Sequence, residues 1–147
     1  MKKGSFKLLF LDVNVLLAVA WPNHQFHAAA KRRLEGSSDR WATCALTQLG
    51  FVRLSSNPAV IPAAKSPEEA ASLLAVMTSD PLHVYFASLP SPVAKSARRE
   101  LAKLLGNKQV TDAYLLWVAR QHHASFVTFD TRLRAMAGSG GEVEILS

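Results

Sequence analysis

The stretch Leu8-Leu9-Phe10-Leu11-Asp12-Val13-Asn14-Val15-Leu16-Leu17 decides how the rest of the chain is read. Eight of its ten residues are apolar, and the two polar ones, Asp12 and Asn14, sit in the middle. An apolar run this short, with Lys7 before it and Pro22 soon after, reads as a buried strand running into a helix. A parallel strand at the centre of a sheet is covered on both faces, so it shows no polar alternation. Asp12 then falls where the strand ends and the helix begins, the edge at which open α/β sheets bind ligands. An ionised carboxylate among so many apolar neighbours is costly unless a cation, a helix N-terminus or a metal offsets it.

The totals agree with a folded α/β chain. The 147 residues suffice for one domain, 1–147, with a full core. A hydrophobic content of 49% is that of a globular protein and excludes a disordered one. Seventeen Lys and Arg against eleven Asp and Glu give a net charge of +6, which favours an anionic partner such as nucleic acid or an acidic protein. The single cysteine, Cys44, excludes an internal disulfide and suits core packing. A chain without a disulfide framework points to a reducing compartment. Lys2, Lys3, the apolar stretch and Ala18-Val19-Ala20 imitate a signal peptide. Asp12 and Asn14 in the middle of that stretch argue against one, and it is too short to span a bilayer. The expected location is the cytoplasm, with no membrane association.

Outward from the first strand, the pattern alternates. Val15 to Trp21 reads as a short helix, and Asn23-His24 opens a second that ends near Gly36. Trp41 to Ala45 reads as a buried strand, after which Thr47 caps a helix ended by Ser55-Ser56-Asn57-Pro58. Residues 59–65 read as loop. Ser66-Pro67-Glu68-Glu69 is a helix start, with Pro at the first helical position and acids in the first turn. Leu82 to Ala87 is a strand, and a helix follows Pro92 to about Leu105. Gln109 or Thr111 opens the most apolar helix, which ends near His123. Ser125 to Phe129 is a strand, and a short helix and the glycines at 138–141 lead to a last strand at Val143 to Leu146. This alternation predicts a parallel α/β sandwich with no internal repeat or linker.

Three acids are then candidates for one site. Asp12 and Asp130 each end a strand, and strand ends of a parallel sheet share an edge. Asp112 lies in the first turn of the most apolar helix and joins them where that helix begins at the same edge. Taken singly, an Asp at such a place is a helix cap or a complement to the helix dipole. Converging carboxylates repel one another and need a cation. Ligands that are all oxygen select hard ions such as Mg²⁺ or Mn²⁺, which activate water for attack on phosphorus.

Leu-Asp-Val-Asn-Val-Leu-Leu at 11–17, Thr-Gln-Leu-Gly-Phe-Val-Arg-Leu at 47–54, Thr111-Asp112-Ala113-Tyr114-Leu115 and Val127-Thr128-Phe129-Asp130 resemble PIN-domain ribonucleases. Within that family the chain is most similar to the VapC toxins of bacterial type II toxin–antitoxin pairs, over essentially its whole length. The resemblance implies a PIN-like three-layer α/β/α sandwich with a central, mostly parallel sheet. It also implies a Mg²⁺- or Mn²⁺-dependent endoribonuclease, an RNA substrate, a homodimer and a cognate VapB-like antitoxin. Asp12, Asp112 and Asp130 match three of the family's acids and are the expected metal ligands. Asn14 and Thr128 match polar positions beside them, and with Arg53 they are the expected substrate contacts. Where many PIN nucleases carry Glu, this chain holds Gln48, which is expected to position water or metal through a neutral amide.

Charge and aromatic residues suggest further surfaces. Lys95, Arg98, Arg99 and Lys103 fall on one face of the helix after Pro92, a stripe suited to phosphates. Lys31, Arg32 and Arg33 read as a solvated face. Trp21 and Phe26 offer an apolar patch to an antitoxin segment, whereas Trp41 reads as core. His24 and His27 stand at a metal-like spacing without a third ligand, and His122-His123 suits a helix end. Two other readings remain open. The missing Glu allows a PIN domain that binds RNA or antitoxin without cutting. An Asp after a buried strand also resembles haloacid-dehalogenase phosphohydrolases, which carry Asp where this chain has Asn14.

Overall fold

The computed structural model describes residues 6–137 and 142–147. Lys2, Lys3 and the glycines at 138–141 lie outside the described residues. Five strands form one sheet: β1 (Leu8–Leu11), β2 (Arg40–Cys44), β3 (His83–Phe86), β4 (Ser125–Thr128) and β5 (Val143–Ile145). Their order is β3-β2-β1-β4-β5, and every neighbouring pair is parallel. The expectation of a mostly parallel sheet thus becomes an all-parallel one. The strand read first from the sequence is the central strand.

Alternation along β1 sorts the core into two layers. Leu9 and Leu11 point to one face, where they meet Val15 and Leu16 of α1 (Val13–Ala20), Phe51 of α3 (Ala45–Ser55) and Leu74 of α4 (Pro67–Met77). That face also carries α2 (His27–Glu35) through Ala30. Phe10 points to the other face, toward Phe86, Phe126 and the residues 114–119 of α6 (Val110–Gln121). Its ring centroid lies 5.0 Å from that of Phe86 and 5.6 Å from that of Phe126. Fully burying one such side chain is worth about 1.5–3 kcal/mol. Ala97 of α5 (Lys95–Leu101) and Leu133 of α7 (Leu133–Ala137) complete this second layer. The result is the three-layer α/β/α sandwich.

Several element boundaries differ from the sequence reading for local reasons. α1 begins at Val13 rather than Val15, because Asp12 itself is the N-cap. α2 begins at His27, since residues 22–26 form turns after Pro22. α3 begins at Ala45, and Thr47 closes a capping box from inside the helix rather than standing before it. α5 stops at Leu101, so Lys103 falls in the turn beyond it and leaves the stripe of Lys95, Arg98 and Arg99. Among the described residues no helix is long and apolar enough to cross a membrane.

Helices α1 and α3 cross closely. A Cβ added at Gly50 would stand 2.7 Å from Val13 Cγ2, so only glycine permits this approach. The crossing fixes Val13, and with it the two polar residues on either side.

Candidate active site

The strand order reverses between β1 and β4: the chain runs outward from β1 through β2 to β3, then returns to β1's other side. Ligands of open α/β sheets bind at this switch point, beyond the strands' carboxyl ends. Leu11 is level with Val127 in the register, and the Asp12 N–H donates to the Val127 carbonyl at 2.9 Å. Asp12 therefore stands beside Thr128, although the two are far apart in the chain.

The Asp12 carboxylate is held at both oxygens. Oδ1 accepts from the Val13 N–H at 2.7 Å, and Oδ2 accepts from the Thr128 hydroxyl at 2.7 Å. Thr128 is fully buried, and its oxygen also accepts from Asn14 Nδ2 at 3.2 Å and from the Asp130 N–H at 3.1 Å. One proton and two lone pairs are thus all engaged. Asn14 Oδ1 accepts from the Phe129 N–H at 3.3 Å. Asn14 and Thr128, expected to touch substrate, instead spend these hydrogen bonds on fastening the end of β4 to the start of α1.

Electrostatics place the other two acids at the same edge. Burial, the dominant cause, raises Asp12 from 3.8 to about 6; the bonds from Thr128 and Val13 oppose it, and the charges of Asp112 and Asp130 add to it. Asp112, in the first turn of α6, is also raised, chiefly by burial and then by Asp130, with Arg132 opposing. Asp130 is instead held below the ordinary carboxylate range by its bonds from Arg132. The guanidinium grips Asp130 at both oxygens, Nε to Oδ1 at 2.9 Å and Nη2 to Oδ2 at 2.7 Å. So Asp130 has a counter-charge while Asp12 and Asp112 are left with excess negative charge.

This donor set fits a hard divalent cation. A carboxylate pushed up by burial, and further by two neighbouring acids, is relieved by positive charge, and all the donors are oxygen. The three side chains are not drawn into a closed cage: among the described residues no three His, Cys, Asp or Glu are gathered tightly enough. Arg132 was not singled out from the sequence. Its signal is a cation two residues after a strand-end acid, in Asp130-Thr131-Arg132.

Other candidates lie elsewhere. Gln48 donates from Nε2 to the Thr43 hydroxyl at 3.0 Å, and that hydroxyl lies 2.7 Å from His83 Nε2. Among the described residues no hydrogen bond joins Gln48 to the acids. Arg53 is exposed in the last turn of α3. Trp41 is buried, 6% exposed, as expected. Trp21 donates to Ser55 Oγ at 3.0 Å, and Phe26 stacks on Phe129 at 4.5 Å, so both are half-buried supports rather than an open patch. His27 Nδ1 lies 2.7 Å from the Ala18 carbonyl and His24 Nδ1 accepts from the Phe26 N–H, which makes this pair structural. His122 stacks on Phe86 at 3.8 Å. Arg33 leaves the solvated cluster to bridge Asp39 and Glu144.

A model of the family described as PIN domain matches residues 9–139. The chain belongs to the PIN-domain family. This PIN domain is 41% identical over 138 residues to Ribonuclease VapC39 of Mycobacterium tuberculosis, covering 92% of this chain and 97% of that one. Its fold is similar to the crystal structure of Mycobacterium tuberculosis VapC20, a Sarcin-Ricin loop cleaving toxin. There the TM-score is 0.68 at 16% identity, over 86% of this chain and 93% of the other. It is also similar to VapBC2 from Rickettsia felis bound to a DNA fragment from their promoter, with a TM-score of 0.64 at 15% identity, over 95% and 99% of the two chains.

Proposed function

We propose that this PIN domain is an endoribonuclease that hydrolyses RNA phosphodiester bonds at the β1–β4 edge, as the toxin of a pair with a VapB-like antitoxin. The observation that carries the chemistry is the buried Asp12 carboxylate, fixed by Thr128 and raised further by Asp112 and Asp130. Identity to a protein named ribonuclease VapC supports the substrate. Asp12, Asp112 and Asp130 would hold Mg²⁺ or Mn²⁺, and that ion supplies Lewis acidity for the attack of water on phosphorus and for the departing oxygen.

The chain's own residues do the positioning. Thr128 sets the rotamer of Asp12 through a charge-assisted bond. Asn14 ties the end of β4 to the start of α1, so that Thr128 stays level with Asp12 and Asp130 follows two residues on. Lys95, Arg98 and Arg99 on α5 and Arg53 on α3 are exposed cations available to RNA phosphates. Gln48 stays with Thr43 and His83 and takes a supporting part.

The test is cleavage of a transfer-RNA pool and defined RNAs by the purified protein with Mg²⁺, Mn²⁺ or EDTA, alongside Asp12→Asn and Asp112→Asn. Cuts should require metal and should nearly vanish in both variants. Full activity in both would overturn the assignment.

A further inference from the structure

Gln48, where the sequence departs from the family pattern, ends a row of hydrogen bonds that runs across several elements. The middle member is the hydroxyl of Thr43, fully buried on β2. On one side it meets Gln48 Nε2 at 3.0 Å, from the start of α3. On the other it meets Nε2 of His83, the first residue of β3, at 2.7 Å. The His83 ring lies against Trp41, with 4.6 Å between centroids. It also bonds the backbone of Thr78, the cap at the end of α4. Since Thr43 occupies Nε2, that bond is made by Nδ1.

The direction of every bond in the row follows from its Thr78 end. The last carbonyls of a helix have no partner within it, and a carbonyl only accepts, so His83 Nδ1 carries a proton. Burial holds His83 below the ordinary imidazole range, against the attraction of Asp80. Asp80 is itself engaged, by Trp41 Nε1 and by the Leu82 N–H. At neutral pH the ring is therefore neutral, and Nε2 offers only a lone pair. The single Thr43 proton goes to it. Thr43 must then accept from position 48, which a glutamine satisfies only through Nε2. Gln48 Oε1 is left turned away from β2. Gln48 lines a groove of about 460 Å³ between α3 and α4 whose walls, Thr78 apart, are otherwise apolar.

We propose that His83 and Thr43 are positioning residues for Gln48: with His83 neutral the row presents the Gln48 carbonyl oxygen at this groove, and with His83 protonated the row reverses and presents the amide N–H instead. Once protonated, Nε2 donates to Thr43, whose own proton turns toward Gln48, and only the Oε1 of a flipped amide can receive it. Position 48 is thus an acceptor at neutral pH and a donor in acid. The same rule accounts for an amide at this position. A carboxylate only accepts, so it would claim the one Thr43 proton, and His83 Nε2 would then need a proton of its own. Glutamine goes with a neutral imidazole and glutamate with a charged one. The inference does not depend on the nuclease reading, and its test needs no RNA.

The test is an NMR titration of the full, nitrogen-15-labelled chain in EDTA, which gives the tautomer and titration midpoint of each histidine. Native His83 should be the Nδ1–H tautomer at neutral pH, and an Nε2–H tautomer overturns the row. The side-chain amide signals of Gln48 should move with the His83 midpoint, and signals indifferent to it overturn the reversal. Gln48→Glu should raise the His83 midpoint by about one pH unit, while His24, His27, His122 and His123 stay where they are. Thr43→Val keeps the shape and removes the hydroxyl, so it separates the row from the bare charge. In that background Gln48→Glu should lose most of its effect on His83, whereas in Thr43→Ser it should keep it. A rise of equal size without the hydroxyl, or no rise with it, overturns the proposal. Should Thr43→Val fail to fold, the native tautomer and the Gln48→Glu midpoint still decide.

Discussion

Asp12→Asn should make the metal-free protein more stable at neutral pH while abolishing its activity. The folded Asp12 titrates at about 6 against 3.8 for the free side chain. At about 1.4 kcal/mol per pH unit, this corresponds to about 3 kcal/mol of destabilisation once the group is ionised. The sign follows from proton binding. Between 3.8 and about 6 the folded chain holds more protons at this site than the unfolded chain, so stability falls as pH rises through that window. Above it the whole penalty is present, and below it none is. An amide escapes the penalty but cannot accept from both the Val13 N–H and the Thr128 hydroxyl in their present roles, a loss of about 1 kcal/mol. The variant should therefore lead by about 2 kcal/mol above the window and trail by about 1 kcal/mol below it. Urea denaturation in EDTA at a series of pH values measures the difference directly. Adding Mn²⁺ should narrow or reverse that lead above the window, the outcome expected of an ion held by the folded native chain and not by the variant. A gap between the two proteins that stays constant across the window would refute the reasoning, since it would mean that Asp12 carries no burial penalty.

Three further substitutions probe the same edge. Thr128→Val leaves Asp12 Oδ2, Asn14 Nδ2 and the Asp130 N–H without their shared partner; it should cost about 3 kcal/mol in urea denaturation and push Asp12 higher still. Gly50→Ala drives a Cβ to 2.7 Å from Val13 Cγ2, so it should destabilise by about 1–3 kcal/mol and, by shifting the Asp12 cap, lower cleavage about tenfold. Unchanged cleavage in a destabilised Gly50→Ala protein would break the link between that crossing and the site. Arg132→Gln frees Asp130 of its counter-charge and should tighten Mn²⁺ binding without RNA, measured by calorimetry; unchanged affinity would remove Asp130 from the ligand set.

The central strand was legible because burial on both faces writes an uninterrupted apolar run, and at Leu8 to Leu11 that run is too short for a buried helix. The helix start at Ser66 was legible because its capping box is entirely local: Ser66 Oγ accepts from the Glu69 N–H at 3.1 Å, and Glu69 Oε1 from the Ser66 N–H at 3.0 Å. The meeting of Asp12 with Asp130 followed from strand ends sharing an edge. What stayed hidden depends on contacts that are distant in sequence. Gln48 looked like a neighbour of the acids because of its place in a motif, but its amide is decided by Thr43, on the preceding strand, and His83, on the next one over. Thr128 looked like a substrate contact because the sequence does not reveal how many donors would converge on its hydroxyl. The end of α5 was missed because no proline or glycine marks Leu101, and Lys103 was misplaced with it.

The β1–β4 junction also bears on when, during synthesis, the site can form. Asp12 leaves the ribosome 116 residues before Thr128. Strand β1 cannot gain its β4 neighbour, nor Asp12 its hydroxyl donor, until the 116 residues that separate Asp12 from Thr128 have been made. Contacts of such long sequence separation are slow to form, because the loop-closure entropy comes before any contact offsets it. A nascent chain that has not reached β4 therefore lacks the edge at which Asp12, Asp112 and Asp130 meet. The edge is therefore assembled only after β4 has been made and has reached β1.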